Sequence, residues 1–313
     1  MIPSKLKFIR SVLEKDNNYY NYYRDKYVLE LLRNSLKEPV SIAVLKKSRL
    51  GFLTNKKVVR NILAKAGNKC VTGSDFEHVD DKGIDFNVSL GQWGGYEYES
   101  NDPWYQTSRS GLNLVLQLNF DQAHNQAYYK LISPRKSNHP FVYYGHPVRY
   151  KKNYLTMSWA RLDVDLDAGE VLIEEIQNDW LRNATTAARW GYKRLRKQKV
   201  KDRDRPDVYN TTSIASYIKY YEEHLKKYIE IWAEATLNLA ITFTLRELGC
   251  KRIFYNTYET GNFMKGLSDD YVQPPKSTYT KLPKRFGFEK THEAPILLKK
   301  DGTLQKKLRT EGL

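Results

Sequence analysis

Apolar and polar positions divide the chain into stretches with helical spacing and stretches with strand-like spacing. Residues 5–68 place apolar side chains three and four positions apart, as in "YVLELLRNSL" and "NKKVVRNILAKAG", which predicts an N-terminal helical region over residues 1–70. Further along, "LNLVLQLNF" alternates strictly between apolar and polar residues and predicts a strand. With "AYYKLI" behind it, this strand is expected to form a β-hairpin.

The clearest local signal is the stretch "WARLDVDLDAGEVLIEEIQ" at residues 159–177. Two strand-like segments flank the triplet Asp-Ala-Gly at residues 167–169, and a three-residue loop ending in Gly is typical of a tight hairpin turn. We therefore predict an antiparallel hairpin over residues 155–177, with Gly169 at positive φ.

A pairing centred on this turn gives two neighbouring glutamates different surroundings. Arg161 is predicted opposite Glu175, which gives that carboxylate a cationic partner across the strands. Leu162 is predicted opposite Glu174, on a face that also carries Ile176. An ionised carboxylate is costly on an apolar face unless another element supplies a partner.

The order of elements after the hairpin predicts one large mixed domain. A basic segment is followed by the apolar stretch "IEIWAEATLNLAITFTLRELG", by a short strand at 253–257, by a short helix, and by two predicted strands, "FEKTHEAP" and "ILLKKD". We expect an α+β fold with a mostly antiparallel sheet flanked by helices. It is assigned to residues 71–313, with a helical insertion at about 180–226.

The chain is strongly basic, since 52 Lys and Arg against 36 Asp and Glu give a net charge of +16. Ten Lys or Arg and only two acids lie in residues 182–205. This segment is interpreted either as a solvated helix face or as a surface that binds a polyanion such as DNA or RNA. The candidate nucleic-acid-binding residues are Arg182, Arg189, Lys193, Arg196 and Lys197.

Other residue types restrict the function further. Cys70 and Cys250 are too few for a disulfide framework or a Cys-rich metal site, and the six histidines show no metal-ligand spacing, so no metal is expected. No apolar run is long enough to span a membrane, and no secretory segment is evident near the N-terminus. We expect a cytoplasmic protein, in the host cytoplasm if a phage encodes it. Nothing predicts its oligomeric state.

The stretch "VLIEEIQNDW" at residues 171–180 is the strongest candidate site. Polar groups are dense at the end of a buried strand, and one neighbouring strand cannot satisfy all of them. They line a cleft in one interpretation and form a closed network with Arg161 and nearby lysines in the other. The candidates are Glu174 and Glu175 as catalytic bases, and Gln177, Asn178 and Asp179 as substrate-binding residues.

Two C-terminal segments, "ELGCKRIFYNT" and "TYTKLPKRFGFEK", together with the hairpin, resemble the GCN5-related N-acetyltransferase (GNAT) fold over about residues 110–300. The resemblance implies acyl transfer. For that reaction Tyr279 is the candidate catalytic acid, and Asn256 and Thr257 are candidates for the substrate site. That family binds the coenzyme A pyrophosphate on a Gly-containing turn, whereas this chain has "NDWLRNATTAARWG" there, and Pro283 takes the position of the usual Tyr. Acetyl-CoA is therefore possible as the cofactor, but the donor is left unknown.

A second resemblance is more local. "EEIQNDW", the later "FYNT" and the segment "YTKLPKRFG" look like a domain of large multidomain phage and mobile-element proteins, which has Glu-(Val/Ile)-Gln-Ser-Asp-Trp at the first stretch. This resemblance does not itself imply an activity.

Two functional hypotheses remain open at this point. The first is an acyl- or aminoacyl-type transferase on a GNAT-like scaffold, acting on a substrate linked to nucleic acid or to a phage or mobile element. The second is a non-catalytic nucleic-acid-binding or structural protein of a phage or mobile element. A transferase that acts on a nucleic acid would satisfy both.

Overall fold

The structure is a computed structural model. It describes residues 1, 3–13, 19–66, 70–77, 83–95, 106–109, 111–135, 139–151, 154–196, 212–265 and 274–300.

Most of the strands form one curled, mostly antiparallel sheet. The strands are β1 (Tyr19–Tyr22), β2 (Val40–Ser41), β3 (Cys70–Val71), β4 (Ile84–Gly95), β5 (Gly111–Asn119), β6 (Tyr150–Lys151), β7 (Tyr154–Asp165), β8 (Glu170–Gln177) and β9 (Arg252–Tyr255). The main sheet has the order β1-β4-β5-β7-β8-β9, with β6 paired to the start of β7, while β2 and β3 pair separately. All pairs are antiparallel except β8 with β9, which is parallel.

Helices surround this sheet, so the predicted α+β class is confirmed. They are α1 (Pro3–Leu13), α2 (Lys26–Ser35), α3 (Ile42–Lys47), α4 (Lys57–Lys65), α5 (Gln122–Leu131), α6 (Trp180–Leu195), α7 (Ile214–Tyr220), α8 (Lys226–Ile229), α9 (Trp232–Arg246), α10 (Tyr258–Lys265), α11 (Lys276–Arg285) and α12 (Ile296–Lys300). A π-helical turn joins α7 to α8. Among the described residues, no helix is long and apolar enough to cross a membrane.

The two faces of the sheet differ in chemistry, although both are covered. On β5, Leu114, Leu116 and Leu118 point into the main apolar core, and Asn113 and Gln117 alternate with them. Every residue of β5 is buried, including these polar ones. We call the two sides the apolar face and the polar face. The strict alternation of this strand therefore reflects two buried faces rather than a buried and a solvated one.

The predicted hairpin is confirmed in its strands, in its turn and in part of its register. Gly169 has φ 63°. Arg161 pairs with Glu175, as expected, but Leu162 pairs with Ile173 because a β-bulge lies between the two pairs. Glu174 is the additional residue of the bulge, so its carboxylate turns to the polar face with Glu175. The strand predicted at 253–257 is confirmed as β9 of the same sheet, but it covers Arg252–Tyr255, so Asn256 and Thr257 lie beyond its end.

The predicted hairpin between "LNLVLQLNF" and "AYYKLI" is wrong. The second segment belongs to helix α5, and β5 pairs with β4 and β7 instead. Asp121 caps this helix, because its side chain accepts a hydrogen bond of 2.6 Å from the His124 backbone N–H. His124 and Tyr128 are buried one turn apart on the same helix. A helical repeat was therefore present but was too short to distinguish from a strand.

The prediction of two C-terminal strands is also wrong. Residues 288–295 form no regular element, and Ile296–Lys300 is helix α12. Leu297 and Leu298 pack against Leu172 and Met264 on the polar face. The backbone N–H of Leu297 donates to Glu170 Oε2 at 3.1 Å. Packing and this buried carboxylate therefore fix a helical turn in a segment whose apolar run suggested a strand.

The N-terminal region shares its sheet with the rest of the chain. Strand β1 pairs with β4 at the edge of the main sheet. The buried carboxylate of Glu234, on α9, accepts from the Tyr22 hydroxyl at 3.2 Å and is hydrogen-bonded by Arg285 of α11. Asn238 Nδ2 donates to the Tyr20 hydroxyl at 2.7 Å. The polar residues of the otherwise apolar helix α9 thus connect this helix to strand β1.

Candidate functional site

A cluster of buried charges lies on the polar face where β7 and β8 pair. Arg161 Nε is 3.0 Å from Glu174 Oε2, and Arg161 Nη2 is 3.4 Å from Glu175 Oε2. Lys265 Nζ, at the end of α10, is 3.4 Å from Glu175 Oε1 and donates to the Tyr279 hydroxyl at 3.3 Å. We call these five residues the Arg161 cluster. It brings together the three residues predicted to be catalytic.

The Arg161 cluster is closed to solvent. The side chains of Arg161 and Glu174 are 1% and 0% exposed, and that of Glu175 is 9% exposed. The Ser108 backbone N–H donates to Glu174 Oε1 at 2.7 Å. Burial lowers the pKa of Lys265, although the nearby Glu175 charge opposes this effect. This arrangement corresponds to the closed-network interpretation of the two glutamates.

A second ion pair continues the buried charge along β7. Arg109 holds Asp163 with two hydrogen bonds, from Nε at 2.6 Å and from Nη2 at 2.9 Å. Arg109 Nη1 also donates to the Leu297 carbonyl at 3.1 Å, which connects α12 to the sheet. Burial raises the pKa of Asp163 to about 6, even though Arg109 acts in the opposite direction. Because Arg109 follows Ser108, these contacts also position the Ser108 backbone N–H that donates to Glu174.

A different cluster lies at the end of β8. Asp179 accepts at both carboxylate oxygens: Oδ2 lies 2.7 Å from His146 Nδ1, and Oδ1 accepts from Gln177 Nε2 at 2.9 Å. Arg182 Nη2 donates to the same Oδ1 at 2.6 Å. We call these four residues the His146 cluster. Three donors thus hold a carboxylate that is 2% exposed.

The hydrogen bond to Asp179 fixes the chemical state of His146. A carboxylate can only accept, so Nδ1 carries the proton in the neutral ring and Nε2 keeps a lone pair. Edge-on rings of Tyr143 and Trp159, with centroids 4.5 and 5.7 Å away, enclose the imidazole. The His146 side chain is nevertheless 23% exposed. A histidine oriented by a buried carboxylate and reachable from solvent is suited to act as a general base.

The two clusters are neighbours on one strand. Glu175 and Gln177 are two residues apart, so their side chains lie on the same face of β8, about 7 Å from each other. Trp159 pairs with Gln177, and Arg161 pairs with Glu175 on the adjacent strand. A substrate that contacts His146 would therefore lie beside the Arg161 cluster without entering it.

Strands β8 and β9 separate before β8 ends. Their pairing ends at Ile173 and Tyr255, followed by one hydrogen bond of 3.4 Å from Asn256 N–H to the Ile173 carbonyl. Asn256 is 5% exposed, and its Nδ2 has no hydrogen-bond partner among the described residues. Gly261 allows this close packing, because a Cβ there would lie 3.3 Å from both the Asn256 Cβ and the Tyr279 ring. A buried donor without a partner is a candidate group for binding a substrate oxygen.

A pocket of about 260 Å³ opens beside the end of β8. One stripe of α6 forms a wall of it, and an apolar wall stands opposite. The lining residues are Ile176, Gln177, Asn178, Leu181, Arg182, Thr185, Thr186, Arg189, Ile229, Trp232 and Pro275. Gln177 and Arg182 line this pocket and also contact Asp179, so the pocket adjoins the His146 cluster, although His146 and Asp179 do not line it.

The remaining predicted residues have identifiable positions. Asn178 Oδ1 accepts from the Arg182 backbone N–H at 3.1 Å in the first turn of α6. Thr257 Oγ1 accepts from the Thr260 N–H at 3.1 Å at the start of α10, and this contact is local to that turn. Arg189, Lys193 and Arg196 are exposed, the first two on α6 and the third just after it. Lys197 lies outside the described residues.

Sequence reasoning missed His146 and Lys265. His146 lies in the segment "YYGHPVRY", which has no periodicity, and it meets Asp179 from 33 positions away. Lys265 ends a short helix in a chain with many lysines, and nothing in its neighbourhood distinguishes it. The one available signal was the density of polar side chains on β8, because these side chains need hydrogen-bonding partners from elsewhere in the chain.

Comparison with known proteins gave no match to a family model, to a curated protein or to a solved structure. Within the described parts of the chain, no three His, Cys, Asp or Glu side chains are grouped so that they could hold a metal ion. The function is therefore argued from the site itself.

Proposed function

We propose that this chain is an acyl- or aminoacyl-type transferase in which His146, oriented by Asp179, is the general base. The observation that carries the proposal is the 2.7 Å contact between His146 Nδ1 and Asp179 Oδ2, next to Gln177 and Arg182, which line a pocket. Acyl transfer to an amine or hydroxyl needs a group that removes the acceptor's proton and a donor that stabilises the carbonyl oxygen. Asn256 Nδ2 is a candidate for the second role.

The transfer step follows from these positions. The acceptor nitrogen or oxygen forms a bond to the carbonyl carbon of the donor while its proton passes to His146 Nε2. The bond between that carbon and the leaving oxygen or sulfur then breaks, and the leaving atom takes the proton that His146 Nε2 received. The histidine thereby returns to its starting state.

Accessibility favours His146 over the two glutamates as the base. Its side chain is 23% exposed, whereas Glu174 and Glu175 are 0% and 9% exposed. Both glutamates also contact the buried guanidinium of Arg161. A base must reach the acceptor's proton within hydrogen-bond distance, and this geometric condition comes before proton affinity. In this proposal the glutamates position Lys265 and the strand end.

The first turn of α6 does not fit the pyrophosphate of coenzyme A. In the acetyltransferases that this chain resembles, free backbone N–H groups of such a turn bind the anion. Here the Asn178 side chain occupies the Arg182 N–H at 3.1 Å. The carboxylate of Asp179 also lies at the start of the helix, where it opposes a second anion. We therefore assign no step to acetyl-CoA and propose an acyl ester on another carrier as the donor.

Transfer of a labelled aminoacyl group tests the proposal. The purified chain is incubated with radiolabelled aminoacyl-tRNA and, in a parallel reaction, with labelled acetyl-CoA, using peptides with free amines as acceptors. We expect transfer from the RNA ester that is lost in His146→Asn and in Asp179→Asn. His292→Asn is the matched control, because His292 is exposed and lies in the irregular segment before α12. Equal activity in all variants would contradict the proposal.

One observation supports a second candidate function, non-catalytic binding of nucleic acid. Helix α6 exposes Arg182, Arg189 and Lys193 and contains no acidic residue. A binding protein would need this surface and not the base. It would therefore retain its function in His146→Asn, whereas a transferase would not.

A further inference from the structure

The exposed side of α6 leads directly into the pocket. Arg182, Thr186, Arg189 and Lys193 are exposed at steps of four, three and four residues, so they form one stripe along the helix. The opposite side, with Leu181, Ala184 and Ala188, is buried in the core. From Arg182 to Arg196 the stripe extends over about 21 Å, at ~1.5 Å per residue. It presents four cations in a line that ends at the pocket.

The pocket has the chemistry of a site for a nucleobase. Trp232 is half-buried and lines it together with apolar Ile229 and Pro275, while Thr185 and Thr186 contribute hydroxyl groups. An indole that lines a pocket can provide a stacking surface that accepts any base. The volume of about 260 Å³ is below the range of roughly 300–1,000 Å³ for drug-sized ligands. The space therefore suits one base with part of its sugar and not a complete dinucleotide or coenzyme.

We propose that this pocket binds the terminal nucleotide of a single-stranded nucleic acid. The end base stacks on Trp232, and the following phosphates run along the cations of α6. A base inside a duplex has both faces covered by its neighbours and cannot enter such a pocket. This inference rests on the proposed function in one respect only: the bound strand end is taken to carry the acyl group. That group would then lie beside Gln177 and His146.

The salt dependence of binding tests the α6 stripe. Fluorescence anisotropy is measured with labelled single-stranded RNA, single-stranded DNA and a duplex over a range of NaCl concentrations. Four phosphate contacts predict a slope of log K against log [salt] of about −3 for the single strands. The combined variant Arg189→Gln, Lys193→Gln and Arg196→Gln should reduce that slope by about 2. Removing the same charge at Lys46, Lys47 and Lys57, which are exposed on other helices, should leave it unchanged.

Trp232 tests the pocket. Trp232→Ala should weaken binding of a linear single strand roughly 5- to 150-fold, which is the usual range for loss of one stacked base. Trp232→Phe keeps a ring and should bind within a few-fold of wild type, which separates stacking from a folding defect. Phe52→Ala, at an exposed ring that is 44% accessible in the N-terminal region, is the control.

A circular single strand provides the decisive comparison, because it has no terminal nucleotide. Wild type should bind the circle about as weakly as Trp232→Ala binds the linear strand. Equal affinity for circle, duplex and linear strand would overturn the inference. His292→Asn, at an exposed position outside the site, should bind the linear strand as wild type does. Binding without transfer in wild type would contradict the proposed function alone, and transfer that tolerates Trp232→Ala without weaker binding would contradict this inference alone.

Discussion

The Arg161 cluster and the His146 cluster lie two residues apart on the same face of β8, and both combine carboxylates with basic groups. They differ in access: the Glu174 carboxylate is 0% exposed, whereas the His146 ring is 23% exposed. Buried ions that satisfy one another stabilise a particular local structure, and a charge network that opens to a pocket can exchange protons with a ligand. The density of charged residues thus does not identify a catalytic group until its exposure is known.

Position in the sheet explains the difference. Glu174 and Glu175 lie between the ends of their strand, where β7 is beside them and the Ser108 backbone covers them. Asp179 follows the end of β8, where β9 has already diverged and α6 begins. The bulge at Glu174 places two carboxylates on the polar face and keeps Ile173 and Ile176 in the apolar core. Within a few residues, the strand therefore passes from a closed charge cluster to a buried carboxylate whose histidine partner is reachable from solvent.

Replacing the cation of the closed cluster should have the largest effect on stability. Arg161→Met leaves Glu174 and Glu175 buried without their guanidinium, and removal of one partner from a buried ion pair costs about 3–5 kcal/mol. Urea unfolding measures the change. Arg60→Met, at an exposed position on α4, should change stability by less than about 0.5 kcal/mol. A similarly small effect for Arg161→Met would show that the cluster is not a closed network.

Glu174→Gln should have an intermediate effect. The amide oxygen can still accept from Ser108 N–H, but the charge opposite Arg161 is lost, and we expect about 1–3 kcal/mol of destabilisation. Transfer activity should decrease only as far as the folded fraction does. Glu289→Gln, at an exposed residue, is the control. If Glu174→Gln abolished transfer in a fully stable protein, Glu174 would be the base, as the sequence suggested.

A pH dependence of stability should be the smallest of the three effects. Burial lowers the pKa of Lys265 below its ordinary value of 10.5, so the unfolded chain binds more protons than the folded chain in the range below that value. Stability should therefore rise through this residue as the pH increases toward 10.5. Lys265→Met should remove that part of the rise when unfolding curves of both proteins are compared. Parallel pH profiles would contradict the assignment.

The sequence predicted the parts of the fold that depend on neighbours along the chain. The hairpin was predictable because its turn and both strands lie within residues 155–177, and cross-strand pairing then placed Arg161 opposite Glu175. The bulge was not predictable, since it depends on which of two faces could hold Glu174. Likewise, α12 forms because Leu297 and Leu298 pack on Leu172. A run of three apolar residues does not decide between a helix and a strand.

Only the part of the candidate site that lies at the end of β8 was predictable from the sequence. Gln177 and Asp179 were identified because polar residues are unusual at the end of a buried strand. Their partner His146 lies in an irregular segment that folds onto the sheet through Gln117, whose Nε2 donates to the Pro147 carbonyl at 2.6 Å. Such a contact joins residues 30 positions apart and leaves no periodic pattern in the sequence.

Chemical rescue of a histidine variant tests the central claim most directly. His146→Ala should reduce the rate of aminoacyl transfer by roughly 10²- to 10⁴-fold, the usual contribution of a general base, with an unfolding midpoint close to wild type. Added imidazole should restore part of that rate, because it can occupy the vacated space beside Asp179 and accept the proton. The same addition should not change the rate of Asp179→Asn. A His146→Ala protein that transfers at the wild-type rate, or whose lost activity imidazole does not restore at all, would contradict the account.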